Sequence, residues 1–403
     1  MNMNFFYYFS IFMALFSSTL SAEQYNWSQW KGPKQNGISE ESRFNPEALN
    51  NELKINWKKN VGEGYSSVSI YDNYLLTLGY NKSNKENILY CLNVDTGKQI
   101  WSYNYKASKG SYEGPKSTPV ISEDKVYHLG QDGDFMCHDL KSGKLIWKKQ
   151  IIKDFGAKNL RWHLSSSSLI EGDLAIISAG TSGMAFNKNS GDLVWKSAKG
   201  KGNYATPVSF DFKGEKQLAV YSSDHLYVLN PVNGNMLWSY PWKAKYDIIA
   251  ADPLIYDDKI LISTGYGIGS TVIDISSGKP EKLWKNKELC NHFDTSIIID
   301  GFIYGIDGNA GRGNLKCLDL NTGKVMWSQN NGFGSVISAN GYLIMLNEKG
   351  SLFIIEANSK SYKEISKKEK ILKKLCWTAP VLCRSNLFLR NNKGDIVSIN
   401  IAK

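Results

Sequence analysis

Two tripeptides, Arg161-Trp162-His163 and His292-Phe293-Asp294, gather charge, aromatic surface and imidazole in one place, and they hold two of the five histidines. Such a grouping can bind a ligand, and with a carboxylate in reach it can move protons. Asp252 and Asp294 have the chemistry of a general base. Lys116, Tyr204 and Trp377 add a cation and two more rings. Tyr65, Tyr112, Glu113, Tyr246, Asp247 and Arg312 belong to the same set of irregular residues. The plainer alternative is that these groups satisfy ordinary loop hydrogen bonds. Patterns that would fix a reaction class are missing: there is no G-x-S-x-G and no H-E-x-x-H. The Gly-rich stretches 265–270 and 308–313 lie between two strands rather than ahead of a helix, so they read as hairpin turns and not as nucleotide loops.

The elements that must position these residues repeat. Leu315–Trp327 reads LKCLDLNTGKVMW, and Leu89–Trp101 (LYCLNVDTGKQIW), Phe135–Trp147 (FMCHDLKSGKLIW) and Leu226–Trp238 (LYVLNPVNGNMLW) are close copies. The tryptophans at 57, 101, 147, 195, 238, 284 and 327 recur about every 45 residues. Each unit opens on a small-polar strand, often of the form Ser/Thr-x-Pro-Val, as at Ser117–Val120 and Ala205–Val208. Three further short strands follow, so the expected fold is an all-β propeller of four-stranded antiparallel blades over residues 52–403. The Gly supplies the positive φ of a tight turn, and the Trp fills a gap between blades that widens with radius. Unit seven, near Ile354–Ile365, lacks both. The first strand, at Ile55–Trp57, has no blade of its own, and the last, Gly394–Ile401, has no outer partner. Pairing the two closes the ring and predicts eight blades.

Composition narrows the classes. The chain has 403 residues, 42% hydrophobic and 12% aromatic, with a net charge of +10. The one basic cluster, Lys367–Lys374 (KKEKILKK), has no interleaved aromatics for stacking on bases, so a nucleic-acid partner is not expected and a solvated edge is. Phe5–Leu20 is an uncharged apolar run followed by small residues, which reads as a secretory signal (1–22) cleaved near Ala22. It is too short to span a membrane. With no cysteine near that site, a lipid anchor is not expected, and the mature protein should be soluble in the periplasm or secreted. The six cysteines read as free thiols, because equivalent positions on neighbouring blades are too far apart to bridge. Residues 23–51 form an extended arm, and Trp27 and Trp30 should dock on the body, the alternative being a ligand-stacking pair.

The pattern L-Y-x-L-[DN]-x-x-[TS]-G-K-x-x-W resembles the repeat of the pyrroloquinoline quinone (PQQ)-type β-propellers, a group that includes quinoprotein alcohol dehydrogenases and BamB-type outer-membrane assembly factors. The arm, W-x-x-W-K-G-P-x-x-x-G, is similar to a leader found on exported members. The resemblance implies an eight-bladed ring with ligands at the channel face. A quinoprotein dehydrogenase would want PQQ, calcium held by Glu and Asn, an Asp base and two adjacent cysteines. No two cysteines here are adjacent, and no Cys-x-x-Cys-His haem motif occurs. The expected function is therefore a monomeric, non-catalytic, cofactor-free scaffold that binds a protein or peptide in the envelope. Its contacts would come from Lys116, Arg161, Trp162, His163, Tyr204, Asp252, His292, Asp294 and Trp377. The alternatives are a PQQ-dependent dehydrogenase and a carbohydrate-binding propeller, the latter motivated by Trp162, Tyr204 and Trp377.

Overall fold

The computed structural model describes residues 25–197 and 202–403. The expected signal and its cleavage point near Ala22 lie outside the described residues. Eight sheets follow one another around a ring. Blade 1 runs from Ser69–Tyr71 to Gln99–Lys106, and blade 6 from Ile297–Ile299 to Val325–Gln329. Blade 8 is composite: Val381–Cys383, Asn386–Arg390 and Asp395–Asn400 take Lys54–Asn60 as their outer strand, with Trp57 opposite Ser398. The ring is thus closed by its two chain ends, and no blade is left with an open seam. All six cysteines are buried free thiols. Lys367 and Lys368 end the outer edge strand of blade 7, and the rest of the basic run is loop.

The recurrent Trp and Gly fasten blade to blade. Six of the seven repeat tryptophans donate their indole N–H to a backbone carbonyl in the next blade's turn, from Trp57 to Val94 (2.9 Å) through Trp327 to Asn358 (2.7 Å). Among the described residues Trp238 makes no such bond. The Gly of the turn then lies against the ring it receives. Gly143 has φ 72°, and a Cβ there would stand 2.6 Å from the ring of Trp101. The Gly is needed twice over, for its backbone and for the ring's approach.

Blade 7, which lacks its Trp, is completed differently. Ser366 occupies the outer-strand slot opposite Ile354, and its hydroxyl donates to the carbonyl of Pro46. The short helix Ala48–Asn50 packs there and buries Leu49. The arm also adds a strand that its sequence does not announce: Ile38–Ser39 pairs in parallel with the inner strand Gly334–Ala339, making this blade five-stranded. Two residues are too few for a visible alternation, so the sequence shows an extended arm but not this strand.

The inner ends of the blades are tied by a belt of hydrogen bonds. The N–H of Ser67 donates to Thr118 Oγ1 (3.1 Å), Thr118 to Ser167 Oγ (2.9 Å), Ser167 to Thr206 Oγ1 (3.2 Å), Thr206 to Asp252 Oδ1 (2.7 Å) and Asp252 to Thr295 Oγ1 (2.9 Å). Thr118, Thr206 and Asp252 each precede a proline, which holds them extended. The belt stops between blades 6 and 7. There Lys31 of the arm enters, with its ammonium on Asp294 Oδ1 (3.0 Å) and on the carbonyls of Thr295 (2.8 Å) and Val336 (3.1 Å). Asp294 Oδ2 accepts the Val336 N–H (2.8 Å), completing the seam.

Candidate functional site

The arm enters the central channel from the face that carries the inner-strand turns. Trp27 exchanges backbone hydrogen bonds with Ile70 at the end of one inner strand, and Glu41 accepts the N–H groups of Arg384 and Ser385 in another turn (2.6 Å each). Between these anchors the chain runs up the channel and reverses through Gly32, Gln35 and Gly37, all with positive φ. Its tip reaches the opposite end, where Trp30 Nε1 donates to Asp252 Oδ2 (2.7 Å). Both tryptophans dock, as expected, and Trp30 also faces what remains of the channel.

What remains is a cavity of about 330 Å³ above Trp30, opening on the far face. The loops that lead into the inner strands wall it with Lys116, Trp162, Tyr204 and Trp377, and the hairpin of blade 5 adds Tyr266. The rings pack on one another: Tyr65 and Trp377 stack at 5.4 Å, and Tyr112 meets Trp162 edge-on at 5.3 Å. At the mouth, Tyr112, His163, Tyr246, Asp247 and Tyr266 all take left-handed backbone, with φ between 55° and 66°. Bulky side chains rarely adopt this region, and strain of this kind concentrates at functional sites. Tyr112 and Tyr246 are 51% and 61% exposed, so the rim presents aromatic surface to solvent.

Six of the nine expected contact residues line the cavity: Lys116, Trp162, Tyr204, Asp252, His292 and Trp377. Arg161 is exposed beside it, with its guanidinium 5.0 Å from the Trp162 ring. His163 faces Asp132 instead (3.4 Å), and Asp294 is buried beneath with Lys31. Trp30, which the sequence offered as a stacking ring only in the alternative reading of the arm, and Phe293, from the His292-Phe293-Asp294 group, also line it, and Tyr266 is a wall that the sequence did not announce. The positive φ of Tyr266 within a Gly-rich turn is the one local hint, since Gly267 beside it has the same conformation.

The electrostatics are set mainly by burial. Desolvation pushes the Asp252 carboxyl up to about 6, against the Thr206 N–H and the Trp30 indole, which favour its charged form. Burial pulls His292 down to about 4. Its Nδ1 accepts the Ala310 N–H (3.3 Å), so its Nε2–H donates to the Tyr266 hydroxyl oxygen (2.9 Å). Burial also draws the Lys116 ammonium down to about 8. Lys116 donates to the carbonyls of Tyr112 (3.1 Å) and Gly114 (3.4 Å), and among the described residues it makes no ion pair with a carboxylate.

The quinone with calcium that the repeat brings to mind can be tried against this donor set. Calcium takes about six to eight oxygen ligands. The wall offers one carboxylate, Asp252, whose two oxygens are engaged, and Asn309, whose Oδ1 already accepts the Tyr266 N–H (2.9 Å). Among the described residues no three His, Cys, Asp or Glu side chains are grouped to hold a metal ion. The residues present do not fit that pair.

Comparisons with known proteins bear on the whole ring. Residues 84–329 match the family model described as outer membrane protein assembly factor BamB. A relative of that name from Moranella endobia (strain PCIT) is 23% identical over 325 residues, which is 75% of this chain and 80% of its own. Another, from Shewanella oneidensis, is 23% identical over 287 residues, covering 65% and 66%. The crystal structure of BamB from Moraxella catarrhalis aligns with a TM-score of 0.65 at 15% identity, over 87% of this chain and 98% of that one. Quinohemoprotein alcohol dehydrogenase from Comamonas testosteroni aligns with a TM-score of 0.73 at 12% identity, over 93% and 80%. At these identities the structural likeness speaks for the fold, which hosts both scaffolds and enzymes. The sequence match is of another kind: it runs from the third strand of blade 1 to the last of blade 6, and on it the chain belongs to the family of the outer membrane protein assembly factor BamB.

Proposed function

We propose that the protein is exported and acts, without cofactor or catalysis, as a scaffold in the envelope that holds a protein or peptide partner on the open face of its ring. The observation that carries this reading is the rim of exposed Tyr112 and Tyr246, with Arg161 beside them, on loops already locked in left-handed backbone. Tyr and Arg dominate the energetics of protein interfaces, and a preordered rim gives up little entropy on binding. The names of the family relatives, which describe assembly factors, favour the same reading. Among the described residues no helix is long and apolar enough to cross a membrane.

The test is site-directed photo-crosslinking in cells that export the full chain. Probes at Tyr112 and Tyr246 should give one discrete protein adduct, and probes at Lys213 and Asp257, in turns on the opposite face, should not. Adducts confined to the opposite face would overturn the assignment of the face. Titration with PQQ and calcium, followed by dye-linked alcohol oxidation, is the control, and saturable turnover there would sink the scaffold reading.

A further inference from the structure

The cavity wall is unequal in its hydrogen-bonding groups. Ser167 Oγ and Thr206 Oγ1 each accept a belt N–H, the Tyr204 oxygen accepts the Trp162 N–H (3.3 Å), and the Tyr266 oxygen accepts His292 Nε2–H. Each hydroxyl oxygen therefore has one of its two lone pairs engaged, and among the described residues none of the four finds an acceptor for its own proton. Lys116 adds an ammonium whose protein partners are two carbonyls. The one carboxylate, Asp252, has both oxygens occupied. The wall therefore offers unpaired O–H donors, an ammonium and ring faces, with the second lone pairs of the same hydroxyls among its acceptors. Its donors come from blades 2 to 5, so they converge from several sides rather than from one edge.

A complementary ligand must be rich in acceptors around its perimeter, must carry an anion for Lys116, and must have an apolar face for the rings. A benzoate-like acid has the anion and the face but presents only C–H along most of its edge. A pyranose with a carboxylate has all three. The cavity is closed below by Trp30, so it accommodates a chain end or a single ring and not a polymer passing through. We propose that this cavity is a binding site for a hexuronate, either free or at the end of an acidic oligosaccharide, with the carboxylate on Lys116 and the ring against the aromatic wall. This goes beyond the scaffold reading and does not depend on it.

The pH dependence follows from Lys116. In the free protein its ammonium titrates at about 8, and a bound carboxylate raises that value. Affinity should therefore be full below about pH 8 and should fall as pH rises above it. The other charged and titratable groups near Lys116 are Tyr65, Tyr112, Glu113 and Asp132, with Asp252, Tyr266, His292 and Arg161 across the cavity. Of these, His292 (about 4) and Asp252 (about 6) titrate lower, and Tyr65, pushed up to about 12 by burial, titrates higher.

Trp30, Trp162 and Trp377 face the cavity, so intrinsic fluorescence and calorimetry can both follow binding. The full exported chain is titrated with glucuronate, galacturonate, glucose and benzoate. The expected result is saturable binding of a hexuronate, at least about tenfold weaker for glucose and benzoate, with a similar loss in Lys116→Met and retention in Lys116→Arg. Calorimetry in buffers of different ionisation enthalpy at alkaline pH should show proton uptake. No hexuronate binding at about 10 mM, equal affinity for glucose, or tighter binding of benzoate would each overturn the proposal. The crosslinking described above is read separately, so either reading can fail without the other.

Discussion

Gly143 and Gly278 hold the same place in the repeat and differ in what faces them. Both have positive φ, but a Cβ at Gly143 would meet the Trp101 ring at 2.6 Å, whereas at Gly278 the nearest group is the Lys213 ammonium at 3.8 Å. Alanine at either position carries the backbone strain of about 1–2 kcal/mol, and only Gly143→Ala adds an overpacking cost of about 1–3 kcal/mol. Urea unfolding of the two variants should differ by that second amount, and equal losses would mean that the ring contact is unimportant. Lys31 is a sharper case. Its side chain is fully buried, and the arm brings it to Asp294, 263 positions away in sequence. Lys31→Met leaves a buried carboxylate uncompensated and should cost about 3–5 kcal/mol. Lys31→Met combined with Asp294→Asn should recover part of that loss, and a strictly additive double variant would contradict the pairing.

Between blades 1 and 2 the seam holds a pair of buried imidazoles. His138 donates Nδ1–H to the Gly143 carbonyl (3.1 Å), so its Nε2 accepts from His128 Nε2–H (3.2 Å), with Tyr103 and Tyr105 against the rings. Burial pulls His138 down to about 4 and His128 well below its ordinary value. Both folded values lie below the unfolded one, so the unfolded chain binds more protons in between. Their contribution is complete above about pH 6.5 and is lost as pH falls toward 4, by up to about 3 kcal/mol for His138. Asp252 and Asp294, whose values burial raises, act in the opposite sense, so the net curve is the wrong readout. The difference between the wild type and a His128→Gln, His138→Gln variant, followed by urea unfolding from neutral to acid pH, isolates the seam and should shrink on acidification. At this scale the blades were legible, because a hairpin turn and a wedge-filling Trp leave the same residues at the same spacing each time. The arm's strand and the belt were not. Ile38–Ser39 is too short for a period, and a Thr before a Pro does not reveal that its hydroxyl serves the blade before it. The cavity was legible in part: Trp162, Tyr204 and Trp377 stood out as departures from the repeat, whereas Trp30 reaches them only through a long-range fold of the arm.

The whole ring rests on contacts between its ends. Lys54–Asn60 pairs with Asp395–Asn400, Trp57 packs against Phe388, and the Arg390 guanidinium, fully buried, spans the seam to the Ser66 carbonyl (2.7 Å) and Thr77 Oγ1 (2.6 Å). Trp57→Ala should cost about 3–5 kcal/mol, at the high end for a core aromatic, because it loosens the closure as well as leaving a cavity. A chain ending at Arg390 removes the third strand of blade 8 and should open two long sheet edges. Light scattering and limited proteolysis should show it associated and readily cut, and a monodisperse, protease-resistant form would contradict the role given to the closing blade. That composite blade has a further effect on how the protein is made. Its outer strand is made before every other strand of the ring except the arm's Ile38–Ser39, and its inner three after them, so no chain that stops short of Asp395–Asn400 can shut the ring. Only a chain extended through that strand buries its sheet edges, and blade 8 thereby separates closed rings from interrupted ones, leaving the latter open to the proteases and chaperones that clear them.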